Sequence, residues 1–402
     1  METEPKLQEI CSKQLYTWQQ QNLSNEKKFV LHDGPPYANG SLHMGHALNK
    51  ILKDFVNRYK LLRGHKVHYI PGWDCHGLPI EMKAIHQGDD SSSKMSPTEI
   101  RRLAREFAEE TIQRQRKDFE RWGIMGDWDN YYTTMHPLFE ARQLEVFLSM
   151  YRNGHIYRGA RPVYWSPSSR TALAEAELEY PEAHTSKSIY IIFPVVPSSN
   201  RSNKLNQWAS LEGGLHVAVW TTTPWTLMAN EAVCFHNNIK YSVVRAVNKH
   251  SASVKHFLVA DDLLDKFMEK TSVNYEYTKV ASVTGGDLEG HSCEHPFVSG
   301  KIVPLLHGPH VTTEIGTGFV HTAPGHGMED FLIGKQHNLP VTSPVDDVGC
   351  YTTDVIVREF AGKNVFTDGN DGVIQLLKEQ PGERLLLLEN YVHKYPYDWR
   401  TK

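Results

Sequence analysis

No stretch of the 402 residues approaches the roughly 20 consecutive apolar residues that cross a bilayer, so neither a membrane-spanning helix nor a membrane partner is expected. Cysteine is scarce. Cys11, Cys75, Cys234, Cys293 and Cys350 are scattered without a Cys-x-x-Cys pair, which fits a reducing compartment and speaks against a zinc knuckle. Charge of one sign is lacking too: Lys plus Arg number 43 and Asp plus Glu 47, a net −4. Nothing in that balance demands nucleic acid, and such a partner would need a local basic face. The start Met1-Glu2-Thr3-Glu4 is acidic, unlike an Arg-rich transit peptide, so an import signal is expected to be absent or already removed and the chain soluble as written. At this length two or more cores are expected.

What is present begins with Asp33-Gly-Pro-Pro-Tyr-Ala-Asn-Gly-Ser-Leu-His43-Met-Gly-His46, a Gly/Pro-rich loop ending in two histidines three apart. Behind them Leu48, Leu52, Phe55, Val56, Tyr59 and Leu62 recur at helical spacing up to Gly64, which predicts a helix whose outward-facing N-terminal end carries His43 and His46. Free N–H groups and the dipole at such an end attract phosphate, two imidazoles add donors, and Gly45 leaves room for a nucleotide to lie close. Taken alone, a His-x-x-His is more often a surface helix start that happens to carry histidines.

Phe29–His32 reads as a buried strand entering the loop, and Val67–Ile70, ended by Pro71, as the next one. That order predicts the first unit of a doubly wound parallel sheet, with the second strand delivering Trp73, Asp74 and His76 to the ligand crevice. Ser96-Pro97-Thr98-Glu99 is a helix start with a capping box, and Ile100, Leu103, Ala104, Phe107, Ala108 and Ile112 follow on one face of what reads as scaffold. From about His184 the pattern changes to short alternating strands, such as Ser188–Phe193, His216–Trp220 and Tyr241–Val244, separated by polar loops such as Pro197–Asn206. A compact β-rich domain with a few helices, for example Asp262–Lys270, is predicted.

His43-Met44-Gly45-His46 resembles the His-Ile-Gly-His element of class I aminoacyl-tRNA synthetases, and Gly34–Gly40 resembles the run before it in isoleucyl-tRNA synthetases of the bacterial or mitochondrial type. Gly72-Trp73-Asp74-Cys75-His76-Gly77-Leu78-Pro79-Ile80-Glu81 points to the same specificity, and the similarity continues through Trp220–Asn230 and Gly316–Phe331 over nearly the whole chain. The resemblance implies an α/β fold, the first half of a doubly wound Rossmann-type catalytic domain with an inserted β-rich editing domain. It implies residues 1–183 as the N-terminal part of the catalytic domain with the stem of the insertion, 184–388 as the editing domain, and 389–402 as a return stem. Ser166-Pro167-Ser168-Ser169 stands where some relatives place metal-binding cysteines, so no protein-bound metal is assigned. Lys94-Met95-Ser96 imitates the start of the family's second motif, Lys-Met-Ser-Lys-Ser, but continues with Pro97 and is explained as a helix cap.

Carried over by resemblance, His43, Gly45 and His46 contact ATP, a substrate that arrives with magnesium, Gly34 and Pro35 line the amino-acid pocket, and Asp74 pairs with the α-ammonium of isoleucine. A desolvated ammonium needs such a charge partner. The plainer reading has Asp74 capping a helix and Trp73 in the core. In Trp220-Thr221-Thr222-Thr223-Pro224-Trp225-Thr226-Leu227-Met228-Ala229-Asn230, neighbouring hydroxyls would hold the ribose and ester carbonyl of mischarged tRNA. In the second segment His321 would shape a valine-sized pocket and Asp330 bind the α-ammonium. Thr221, Thr223 and Asn230 would contact the substrate end. Thr-rich runs beside Val and Trp are by themselves usually just strands. Met228 replaces a usual proline and Glu329 one of two aspartates, which puts fine loop geometry in question. His321 and His326 with two acids also resemble a zinc hydrolase, but Pro324 and Gly325 break the helix that would align them.

Three functions follow. The chain reads as a portion of an isoleucine-tRNA ligase, partnered by isoleucine tRNA, isoleucine and ATP and monomeric, with hydrolytic editing of misattached valine but without activation on its own. It is then a natural short product or a fragment. A synthetase-derived tRNA-binding or regulatory protein is the reading from a different class, and a valyl enzyme the close relative. The resemblance points to the mitochondrial matrix, with the cytoplasm open.

Overall fold

A computed structural model describes residues 3–86, 95–197 and 204–402. Lys94 and most of the polar loop at 197–206 lie outside the described residues. The chain divides into two compact units, Met1–Arg158 and Gly159–Lys402. The division falls inside the range read above as the first domain, so residues 159–183 pack with the second unit.

In the first unit, strand β1 (Lys28–His32) is followed by helix α1 (Met44–Leu62) and strand β2 (Lys66–Ile70). The two strands pair in parallel from Lys28↔Lys66 to His32↔Ile70, the βαβ unit that the sequence predicts. The helix differs from its apolar stripe. Leu48, Leu52, Phe55, Val56, Tyr59 and Leu62 are exposed, whereas Lys50, Asp54 and Asn57 are buried. The polar face turns inward because its partners are there. Lys50 forms an ion pair with Asp33 and lies 3.2 Å from the Tyr69 hydroxyl, and Asp54 accepts from Arg58 Nε at 2.6 Å and from the Met125 N–H at 2.9 Å. Ile51 and Leu61 supply the apolar contact.

Helix α2 (Pro97–Arg121) starts on the predicted capping box, Ser96 accepting from the Glu99 N–H at 3.4 Å and Glu99 from the Ser96 N–H at 2.9 Å. Its buried face runs two turns beyond Ile112, through Gln115 and Phe119. Helix α3 (Pro137–Arg152) has no buried residue.

The second unit holds a ten-stranded sheet among the described residues. Strand β3 (His184–Val196) pairs antiparallel with β4 (Leu215–Thr221), which is followed by β5 (Ala232–Phe235), β6 (Lys240–Asn248) and β7 (Val254–Ala260). The predicted helix at 262–270 is a short 3₁₀ turn, Asp261–Leu263, leading into Leu264–Thr271. Most neighbours are antiparallel, but β4 pairs β7 in parallel and β5 pairs Ile302–His307 in parallel. Val320–Thr322 joins β5 at the sheet end, setting Val233 opposite His321. The strand Leu385–His393 returns beside β3, and Tyr397–Asp398 pairs with Leu178–Glu179. Ser166 and Ser169, at the positions compared above with cysteines, donate to Asp398 at 2.7 and 2.6 Å.

Lys50→Met should destabilise the first unit by about 3 kcal/mol, because it strands the buried Asp33 carboxylate with Lys53 as its remaining cationic partner. Urea unfolding followed through tryptophan fluorescence measures this, and an unchanged midpoint would show that the pair contributes nothing.

Candidate functional site

The first cluster grows from the end of β1. Asp33, fully buried, accepts from Lys50, from Lys53 Nζ at 2.9 Å and from the Gly72 N–H at 3.3 Å. Burial pulls the Lys50 ammonium down to about 8, against the opposing pull of Asp33. The following loop is tied to the segment after β2 by two backbone bonds, Ala38 N–H to Asp74 O and Asp74 N–H to Pro36 O, both 2.9 Å. Gln115 clamps the same two segments from α2. Its amide N–H groups reach Tyr37 O at 3.2 Å and Gly40 O at 2.7 Å, while its oxygen accepts from Trp73 Nε1 at 2.9 Å.

His43 is the N-cap of α1, its Nδ1 accepting from the Gly45 N–H at 3.1 Å, and His46 Nδ1 accepts from the His43 N–H at 3.3 Å. Both rings therefore carry their proton on Nε2. The rings lie 4.1 Å apart at 54°. Burial, then His43, then Lys50 lower the His46 pKa, which favours the neutral ring. Two corrections follow. The helix end offers fewer free N–H groups than expected, because the histidines themselves occupy two of them. The room above Gly45 is taken by His43: a Cβ there would lie 2.9 Å from His43 Cε1. Trp73 is likewise not delivered to a crevice. It is buried against Phe119, Trp128 and Tyr131, as the plainer reading has it, whereas Asp74 is half-buried and His76 exposed. Gly34 is exposed and Pro35 half-buried beside it.

The second cluster gathers where β4 ends. Thr221 Oγ1 accepts from the Thr223 N–H at 3.1 Å and lies 3.3 Å from Thr223 Oγ1. Thr223 Oγ1 is 3.5 Å from Thr226 Oγ1, which donates to Thr223 O at 2.8 Å in the 3₁₀ turn Pro224–Ala229. His321 Nε2 meets Thr226 Oγ1 at 2.8 Å, and Asn230 Nδ2 meets His321 Nδ1 at 3.2 Å. Thr222 is half-buried at the bend. Met228, in place of the usual proline, is buried in the core. Trp220 points to the opposite side of the strand, its ring 5.1 Å from Tyr391 and 6.5 Å from Tyr190.

Asp330 sits in the first turn of helix α4 (Met328–Gln336) and accepts from the Ala323 N–H at 2.8 Å, two residues past His321. Burial raises its pKa to about 6, the Ala323 bond opposing this. Burial lowers His321 and His326 to about 4, so both rings are neutral near pH 7. His326 stands 5.0 Å from Trp225, edge to face. Among the described residues no group of three or more His, Cys, Asp or Glu is placed to hold a metal ion.

Residues 7–295 match the family profile described as tRNA synthetases class I (I, L, M and V). The chain belongs to that family. It is 50% identical over 376 residues to the isoleucine–tRNA ligase of Nostoc punctiforme, covering 93% of this chain and 38% of that protein. It is 48% identical over 404 residues to the isoleucine–tRNA ligase of Rippkaea orientalis, covering 100% and 41%, and 48% identical over 389 residues to the mitochondrial isoleucine–tRNA ligase of Gallus gallus, covering 97% and 38%. The chain thus spans about two fifths of the length of these relatives.

In this synthetase chain the structure brings Thr221, Thr223, Asn230 and His321 into one hydrogen-bonded group, and joins Asp330 to it through Ala323. Gln115 and Thr226 carry no mark in the sequence. A glutamine on a charged helix looks solvated, and Thr226 is hidden in a threonine-rich run.

The buried histidines and Asp330 respond oppositely to pH. His216 and His295, lowered to about 3 by burial, join His321 and His326 as rings that bind protons unfolded but not folded, so their contribution to stability falls as pH drops from about 6.5 towards 4. Asp330 holds its proton in the fold up to about pH 6 but releases it near 4 when unfolded, so its contribution falls as pH rises between those values, by up to about 3 kcal/mol. Asp330→Asn should therefore melt increasingly above the parent as pH rises from 4 to 6. A difference that stays constant across this window would refute the buried-carboxyl assignment.

Proposed function

We propose that this chain is the N-terminal portion of an isoleucyl-tRNA synthetase, carrying part of the activation centre and a whole hydrolytic editing centre. The observation that carries the reading is the group Thr221, Thr223, His321 and Asp330. Thr221 and Thr223 set two hydroxyls 3.3 Å apart, held by the bond from the Thr223 N–H to Thr221 Oγ1, and each can turn from its neighbour to donate to a ligand oxygen. A ribose hydroxyl and an ester carbonyl at the 3′ end of a tRNA fit such donors. Asp330, buried yet ionised above about pH 6, suits an α-ammonium group, and one oxygen anchored on Ala323 fixes its direction. Water attacks the ester carbonyl, the carbonyl–ribose bond breaks, and valine and the tRNA hydroxyl are released. His321, neutral and fully bonded, bounds the pocket. The need for a second site follows from the one methylene that separates isoleucine from valine, which a pocket converts into only about 1–3 kcal/mol; the handling of this pair by this enzyme is a known example of the limit.

In the activation centre, His43 and His46 would offer Nε2–H to the phosphates of ATP brought with magnesium, with Gly45 between them, Gly34 and Pro35 would line the amino-acid pocket, and Asp74 would receive the ammonium of isoleucine. The isoleucine carboxylate would attack the α-phosphate and pyrophosphate would leave. No Lys-Met-Ser-Lys-Ser run occurs in these 402 residues. We therefore assign activation of isoleucine and charging of its tRNA to the complete enzyme. The proposed partners are isoleucine tRNA, isoleucine and ATP, with the protein monomeric. A mitochondrial matrix location is supported by the Gallus gallus relative. The proposed domains remain 1–183, 184–388 and 389–402.

The 402-residue protein should show no isoleucine-dependent pyrophosphate exchange, and robust exchange would mean that its activation centre is complete. It should deacylate valylated isoleucine tRNA, whereas a tRNA-binding regulatory protein would bind the tRNA and leave the ester intact, and a valyl enzyme would spare valine. Asp330→Ala should slow deacylation at least tenfold, since a charge-assisted hydrogen bond contributes about 1.5–3 kcal/mol. Thr→Val at both 221 and 223 should slow it as well while preserving the fold. Normal hydrolysis by either folded variant removes those residues from the site.

A further inference from the structure

We propose that Thr226, together with Asn230, is a positioning residue that locks the His321 ring in one tautomer and one orientation, and thereby sets how large a side chain the hydrolytic site accepts. The direction of each hydrogen bond follows from fixed partners. Asn230 Nδ2 lies 2.8 Å from Ala232 O, a backbone acceptor that only the amide N–H can satisfy, so the amide is oriented with nitrogen towards His321. Its second N–H then meets His321 Nδ1 at 3.2 Å, which makes Nδ1 an acceptor and puts the ring proton on Nε2. Nε2–H donates to Thr226 Oγ1 at 2.8 Å, and that hydroxyl passes its own proton to Thr223 O at 2.8 Å. The chain of donors runs one way, from Asn230 through the ring to the backbone of the threonine turn.

Two consequences follow from this geometry. Both ring nitrogens are occupied, so His321 has no free lone pair to act as a base and contributes shape. The ring also cannot turn over. A flip about its Cβ–Cγ bond would take both nitrogens away from their partners in a site where Thr226, Asn230 and His321 are all buried. On the neighbouring strand β5, Val233 stands in register with His321 and flanks it on the same face of the sheet. A rigid wall rejects a larger side chain better than one that can rotate aside, because discrimination by size depends on the cost of moving the wall.

The link to side-chain selection rests on the editing function proposed above; the tautomer lock does not. Thr226→Val removes the acceptor for Nε2–H at nearly constant shape, and Thr226→Ser restores it. Nitrogen-15 NMR of histidine-labelled protein should show His321 as the Nε2–H form in the parent and in Thr226→Ser, and a changed or exchange-broadened ring in Thr226→Val. In parallel, the ratio of valyl to isoleucyl ester hydrolysis on isoleucine tRNA should fall about threefold to tenfold in Thr226→Val and recover in Thr226→Ser. An Nδ1–H signal in the parent, or an unchanged ring signal in folded Thr226→Val, overturns the lock. An altered ring with an unchanged hydrolysis ratio overturns its role in selection. If the parent hydrolyses neither ester, the editing reading fails, and with it the selection step, while the nitrogen spectrum alone decides the lock.

Discussion

A polar group taken out of water costs free energy unless it finds a partner, and both candidate centres of this chain are organised by that constraint. A matched hydrogen bond contributes only about 1 kcal/mol net, whereas a buried donor or acceptor left without a partner costs roughly 1–3 kcal/mol. Loops rich in glycine and proline have few backbone bonds of their own, so their shape is set by whichever buried side chains reach them. In the first unit these are Asp33, held by Lys50 and Lys53, and Gln115, whose single amide holds Tyr37 O, Gly40 O and Trp73 Nε1 together. In the second they are Thr226, His321 and Asn230. Each set holds the loop beside it, because moving the loop would break bonds to buried polar groups.

The same constraint explains which parts of the structure were legible in the sequence. Strands at Phe29–His32 and Val67–Ile70, the capping box at Ser96 and Glu99, and the alternating strands around Ile189, Val217 and Val243 are local patterns, and local patterns survive folding. The packing face of α1 did not follow from its apolar stripe. Periodicity reports that a helix has two unlike faces, but the choice of the inward one was made by Asp33 and the Met125 N–H, residues 17 and 71 positions away from Lys50 and Asp54. The parallel pairing of Val233 with Leu305 and the placing of His321 opposite Val233 are equally non-local. The threonines, His321 and Asp330 were found by resemblance to a family, while the residues that hold them, Thr226 and Ala323, were not. Supporting residues of this kind are ordinary in type and become informative only when their partners are known.

His43 and His46 show how a motif can serve its own helix before it serves a ligand. Each imidazole caps a backbone N–H through Nδ1, which fixes the tautomer and turns Nε2–H outward. The helix end thus exchanges two backbone donors for two side-chain donors that reach farther from the axis. Gly45 is needed for this because a Cβ would strike the His43 ring. Phosphate recognition here would depend on ring position more than on bare helix N–H groups.

The two centres differ in how far their own unit completes them. The side-chain hydrogen bonds that orient Thr221, Thr223, His321 and Asp330 come from residues 221–330, within one compact unit. In the first unit the helix that carries the histidines exposes Met44, Leu48, Leu52, Phe55, Tyr59 and Leu62, and α3 adds Leu144, Val146 and Phe147. Exposed apolar surface on that scale costs solubility unless something covers it. A chain spanning two fifths of its relatives can therefore hold one centre whose orienting contacts are all internal, beside another whose supporting helix keeps an apolar face free. That difference lies in packing, and it would persist even if the residues of both motifs were intact.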